Sequence, residues 1–173
     1  MTEQDTPTGS GQERPPLLIN FQYARDVSFE APNAPAIFGE MRSSPEISVN
    51  VDVQAHKLDE SRNLYEVRLK LGAEGKVGDK VAFIAELDYG AAVTVNAPED
   101  HTYPLLLVEA PRHMFPFARN ILADLTRDGG FPPVVLQPID FVALFRQRVQ
   151  AAQQAQQGAP AGGGNSGGDG GTA

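Results

Sequence analysis

The 173-residue chain contains no cysteine and no tryptophan. The lack of cysteine excludes a disulfide framework, a thiolate metal site and a cysteine nucleophile. No apolar run approaches the roughly 18 residues of a membrane span. The opening MTEQDTPTGSGQER lacks the basic and apolar regions of a secretory signal. Positive charge is scarce: 14 Lys and Arg stand against 22 Asp and Glu, for a net charge of −8 and a pI of about 4.8. Phosphate binding needs clustered Lys and Arg, so this balance disfavours nucleic acid and anionic membranes. It favours a partner with a basic surface. The expectation is a soluble cytoplasmic protein with no direct membrane insertion.

Motifs that would name a reaction are also missing. His56, His101 and His113 are not at metal-ligand spacing, and none lies in an HExxH pattern. GAEGKVGDK is glycine-rich but lacks GxxxxGK[ST], and no serine sits in a G-x-S-x-G elbow. No catalytic residue, metal or cofactor is expected, and an enzyme is not the expected class.

Both ends are polar. Residues 1–14 and 151–173, the latter AAQQAQQGAPAGGGNSGGDGGTA, cannot bury enough apolar surface to offset their ordering entropy and are expected to be disordered. The folded body is expected at 15–150. Within it, alternation is the clearest signal. Ile47, Val49, Val51 and Val53 share one face, and so do Tyr65, Val67, Leu69 and Leu71. Val81, Phe83, Ala85, Leu87 and Tyr89 form a third such row, with Ile84, Glu86 and Asp88 opposite. Period-two patterns of this kind mark half-buried strands of an antiparallel sheet with one wet side. LLINFQYARDVSFE alternates less cleanly but reads as a first strand. HKLDESRN and GAEGKVGDK read as hairpin loops.

The link APNAPAIFGEMRSSP is longer, has three prolines and carries Ile37, Phe38 and Met41. Further on, LLLVEAPRHMFPFARNILADLTRDGG reads as a helix with Pro116 in its first turn and Gly129 and Gly130 at its end. PIDFVALFRQRVQ reads as a second helix, with Asp140 as its N-cap. The fold class is therefore α+β: a four-stranded antiparallel sheet followed by two helices, packed against the sheet or at an oligomer interface. On the first strand Asp26 and Glu30 oppose Val27 and Phe29, which leaves two carboxylates together on the wet side without a folding role.

The runs VSFEAPNAP, LYEVRLKLG, FIAEL and FPFARNILADLTRDGGFPPVVLQPIDFVALF resemble the SecB family of bacterial protein-export chaperones. The resemblance covers roughly Leu18 to Gln147. It implies a homotetramer built as a dimer of dimers, with helices between the dimers, that holds unfolded precursor proteins and hands them to the ATPase motor SecA. It also implies that Asp26, Glu30, Ile84 and Glu86 dock the basic zinc-bearing end of SecA. Clients are implied to lie in apolar grooves near the long loop, with Phe38, Met41, Ile47, Val49 and Tyr65 as candidates. Core burial is the alternative for Ile47, Val49 and Tyr65. Ala118, Ile121, Leu122 and Leu125 are candidates for the oligomer interface, with packing on their own subunit as the alternative.

The loop GEMRSSP runs one residue longer than the best-known family pattern and lacks a tryptophan found there in some relatives. The Gly-rich tail offers little for a second SecA contact. A SecB-like chaperone devoted to a non-export client, such as a toxin–antitoxin partner, is the alternative function.

Overall fold

A computed structural model describes residues 14–59 and 61–157. Four long strands, β1 (Leu17–Glu30), β2 (Glu46–Asp59), β3 (Leu64–Val77) and β4 (Lys80–Val95), form one antiparallel sheet in the order β1-β4-β3-β2. Strands β1 and β2 are the edges. The strands run further than alternation suggested. GAEGKV belongs to β3, and the β3–β4 turn is only Gly78 and Asp79, with Gly78 at φ 58°. The pattern was hidden because Gly75 occupies a core-facing position as a glycine. A side chain there would collide with the ring of Phe83, which lies against it.

One face of the sheet is dry. Val53, Val67, Leu69, Leu71, Ala85, Leu87 and Val93 are buried under the helices. Three helical pieces run on from one another across this face: α2 (Glu99–Pro104), a π-helical turn (Leu105–Glu109) and α3 (Ala110–Asp128). A further short helix, α1 (Ala36–Glu40), lies within the β1–β2 link, where the three prolines of APNAPAIFGEMRSSP suggest only a loop.

Pro116 was expected in the first turn of the long helix; it lies inside α3 instead. The proline near the start of α3 is Pro111, which directly follows the π-turn and has no N–H to donate to the preceding helical turn. The preceding π-turn, closed by Ala110 N–H donating to Leu105 O, brings the chain to that position without breaking the helix.

Along α3, Met114, Phe115, Ala118, Leu122 and Thr126 are buried at helical spacing, packed over β4, β3 and β1. Ala118 and Leu122 are therefore core. Each is fully buried within the single chain, which corrects their assignment to an oligomer interface. Ile121 and Leu125 are only partly buried. Thr126 turns the chain back: its hydroxyl bonds the Leu122 and Ala123 carbonyls and accepts from Val134 N–H at 3.0 Å.

Helix α4 (Phe141–Gln157) is capped by Asp140, whose Oδ1 accepts from Ala143 N–H at 3.0 Å. It continues to Gln157, beyond the Gln150 boundary drawn from sequence. AAQQAQQ has good helix propensity, so low complexity did not prevent it from extending the helix. Residues 1–13 and 158–173, the larger part of the two ends expected to be disordered, lie outside the described residues.

Leu122→Ala should lower stability to urea by about 2–5 kcal/mol at fixed protein concentration, because it removes a fully enclosed side chain. Asn120→Ala, on the exposed side of the same helix, should change it by no more than about 0.5 kcal/mol.

Candidate functional site

The wet face is built from side chains that alternate with the core. Register pairs Asp26 with Asp88, Ser28 with Glu86 and Glu30 with Ile84. Directly opposed positions in an antiparallel pair lie about 5 Å apart and diagonal ones about 7–8 Å. Asp26, Glu30 and Glu86 thus form a triangle, with Ile84 directly opposite Glu30. All three acids are exposed, and Ile84 is partly so. The four residues expected to dock a partner are therefore neighbours on one surface.

Ion pairing divides the acids of this face into two groups. Asp88 is held by Arg68, through Nε at 3.1 Å and a second bond from Nη2, with Lys70 at 4.0 Å. Glu66, 9% exposed, takes Arg25 Nη1 at 2.7 Å and the Tyr23 hydroxyl on the same oxygen. The bond to Glu66, then burial, raises the Tyr23 pKa above its ordinary value, so the phenol stays protonated and remains a donor at neutral pH. The hydrogen bond to Asp88 likewise raises the Arg68 pKa. Among the described residues, Asp26, Glu30 and Glu86 have no ion-pair partner. Their side chains are exposed to solvent and not held in an internal ion pair, which leaves them available to a basic partner. Between Asp26 and Glu86 lies a depression of about 210 Å³ floored by Gly72 and flanked by Asn50 and Lys70.

The apolar candidates lie on the other face and do not form one pocket. Phe38 of α1 lies tilted against Phe131, with ring centroids 4.9 Å apart, and Phe131 meets Phe83 at 5.0 Å and Phe29 at 6.2 Å. This aromatic row ends beside Ile47, which pairs with Gly75, the glycine under the Phe83 ring. The helices leave the start of β2 uncovered, so Ile47 and Val49 are 37% and 47% exposed although they point to the core side. Met41 is partly buried and packs on the core. The link is pinned in place by Asn33 Nδ2 donating to Val81 O at 2.9 Å, by the Lys80–Glu40 pair at 2.7 Å and by buried Ile37.

Tyr65 is at the opposite end, about 33 Å from Gly75 along β3 at ~3.3 Å per residue. There it lines a cavity of about 440 Å³ with Tyr103 and Leu106, under the ammonium of Lys57 at 5.7 Å from its ring. Between the two ends, Val51 and Val53 meet Leu144 and Phe145 of α4 around a cavity of about 310 Å³. Arg148 of α4 also donates to the Val53 carbonyl and to Asp52 at 3.2 Å. An occupant touching all five candidates would have to be extended along the free edge strand.

Exposed apolar groups that the sequence pattern did not single out include Leu18 and Phe21 on edge strand β1 and Phe117 on α3, and Val27, expected on the core side of β1, is also exposed. Phe117, Leu17 and Ile19 line a cavity of about 470 Å³. His56, His101 and His113 are all exposed, and no cluster fit to hold a metal ion occurs among the described residues. Among the described residues no helix is long and apolar enough to cross a membrane.

Residues 10–152 match the family described as preprotein translocase subunit SecB. The chain belongs to the SecB family. It is 59% identical to the protein-export protein SecB of Rhodospirillum rubrum, over 83% of this chain and 88% of that one. It is 50% identical to the SecB of Granulibacter bethesdensis, over 91% and 94% of the two chains. Among solved structures, a Mycobacterium tuberculosis SecB-like chaperone in complex with an antitoxin peptide superimposes with a TM-score of 0.60 at 12% identity, over 71% of this chain and 90% of that one. That likeness shows the SecB fold.

Replacing Asp88 by Asn should lower stability by about 1–3 kcal/mol, since it leaves Arg68 without its carboxylate. Asp26→Asn should leave stability within about 0.5 kcal/mol, because no partner is lost. Urea unfolding of both variants checks the division into paired and unpaired acids.

Proposed function

We propose that this SecB-family protein is a cytoplasmic export chaperone that holds unfolded precursor proteins and delivers them to SecA, working as a homotetramer without a covalent step. The observation that carries the reading is the set of three unpaired carboxylates, Asp26, Glu30 and Glu86, grouped with Ile84, while their neighbours Asp88 and Glu66 are held in ion pairs. Such a patch steers a basic partner and fixes its orientation, while Ile84 supplies an apolar contact.

Clients are assigned to the opposite face. Phe38, Met41, Ile47 and Val49 offer exposed or loosely covered apolar surface at one end of β2, and Tyr65 offers an aromatic site at the other. The outer edge of β2 offers main-chain groups, which suits a ligand recognised by backbone rather than sequence. For the oligomer, the unpaired edge of β1 with Leu18, Phe21 and Val27, together with Phe117, Ile121 and Leu125, supplies the apolar surface. An exposed edge strand of this length is a ready template for a second copy. The export reading is favoured over an antitoxin client by the 59% identity to an export SecB, against 12% to the antitoxin-bound chaperone.

Two paired substitutions separate the surfaces. Asp26→Lys with Glu30→Lys should weaken SecA binding more than tenfold, as expected for like charges set against a basic partner, while retention of an unfolded precursor is unchanged. Ile47→Asp with Val49→Asp should do the reverse. Calorimetry with SecA and suppression of precursor aggregation read the two activities, and loss of client holding in the first variant with normal SecA binding would contradict the assignment.

A further inference from the structure

Strand β1 carries two single-residue bulges. Ile19 pairs with Val93 and Phe21 with Ala92, so Asn20 is extra; Ala24 pairs with Tyr89 and Asp26 with Asp88, so Arg25 is extra. Each bulge inverts the alternation, because side chains on a strand have a period of two. The first brings Phe21 and Tyr23 to the wet face. The second returns Val27 and Phe29 to the core side and places Asp26 and Glu30 on the wet face. If the extra residue sat two positions later, at Val27, Arg25 would pair with Asp88 and Asp26 with Leu87, pointing Asp26 into the core side. Removing the second bulge alone would turn both Asp26 and Glu30 inward. The presence of the acid triangle therefore depends on where this bulge sits.

Three groups converge on that position. Tyr23 passes over Gly90 of β4, where an added Cβ would lie 2.7 Å from its Cζ, and its hydroxyl reaches Glu66 on β3. Arg25, the extra residue itself, reaches the same Glu66 oxygen at 2.7 Å. Glu66 is nearly enclosed, so it is the fixed point, and β1 is tied across β4 on both sides of Ala24. We propose that Arg25, with Tyr23 and Glu66, is a positioning device for the docking surface: the clamp holds the bulge at residue 25 and so presents Asp26 and Glu30 to SecA. Gly90 is part of the device, since only a residue without a side chain lets Tyr23 cross. The inference rests on the docking role given to Asp26 and Glu30 above.

Electrostatics and positioning predict opposite signs for one substitution. Arg25→Ala makes the face one charge more negative, so a purely electrostatic patch would bind a basic partner more tightly. A positioning role requires weaker binding, about tenfold. Affinity for SecA is measured by calorimetry on the full chain for wild type, Arg25→Ala, Arg25→Lys, Asp26→Asn and the Arg25→Ala/Asp26→Asn double variant. Expected are weaker binding for Arg25→Ala, recovery with Arg25→Lys, and a double variant no weaker than the weaker single one, since both act through the same carboxylate. Gly90→Ala, which displaces Tyr23 and leaves every charge in place, should weaken SecA binding in the same way, and it decides the matter if Arg25→Ala fails to fold. Precursor holding should be retained throughout. Equal or tighter SecA binding by Arg25→Ala, or by Gly90→Ala where only that variant folds, overturns the clamp. Failure of the wild type to bind SecA, or full binding by Asp26→Lys/Glu30→Lys, overturns the docking role instead.

Discussion

The sheet has one face that must be buried and one that must not, and every strand has to keep its alternation in phase with that division. Where the phase holds, Leu69, Leu71, Leu87 and Val93 go beneath α3, while Lys70, Glu86 and Asp88 point to the opposite face. A slip of one residue exchanges the two sets. The apolar core therefore does more than stabilise the domain: it determines which charges reach solvent and which of them stand side by side. Between β3 and β4 pairing is regular from Leu64 to Gly75, and the single shift, between Gly75 and Lys76, lies next to the turn. On β1, an edge strand held from one side only, two bulges are needed, and the second is fixed by side chains that reach across a neighbouring strand.

Electrostatics then distinguishes among the acids on that face. Asp88 and Glu66 face the same way as Asp26 and Glu86, but Arg68 and Arg25 neutralise them and they serve the sheet. Asp26, Glu30 and Glu86 are left with their full charge. On the other face the same economy operates with apolar groups. The helices cover β3 and β4 closely and leave the start of β2 bare, so Ile47 and Val49 are exposed although they belong to the core row. One surface groups unpaired carboxylates, and the other leaves apolar groups bare along an edge strand.

Much of this was legible in the residues. The alternation of EISVNVDVQ, LYEVRLKL and VAFIAELDY gave the strands and their faces, and it placed Ile84 and Glu86 together, opposite Phe83 and Leu87. The imperfect alternation of LLINFQYARDVSFE had a cause that sequence alone did not expose: two bulges cancel one another's shift, which leaves a pattern that looks merely irregular. Gly75 concealed the length of β3 because the side chain that fills its place comes from Phe83. Helical spacing joined Ile121, Leu122 and Leu125, with Ala118 added as an interface candidate, but such a stripe does not say whether it meets its own sheet or another subunit. Burial divided it, with Ala118 and Leu122 inward. The distance between Tyr65 and the Phe38 end was not readable either, since sequence neighbours on β2 and β3 become remote only once the register is known.

The separation of the two surfaces is tested most directly by the methyl groups that lie within them. Ile84 reports the acidic face, and Ile47 and Val49 report the bare end of β2. In methyl NMR of the full chain, titration with SecA should shift Ile84 and leave Ile47 and Val49 in place, while titration with an unfolded precursor should do the opposite. If both ligands moved the same methyls, or if SecA perturbed only Ile47 and Val49, the two-faced account of this chaperone would be contradicted.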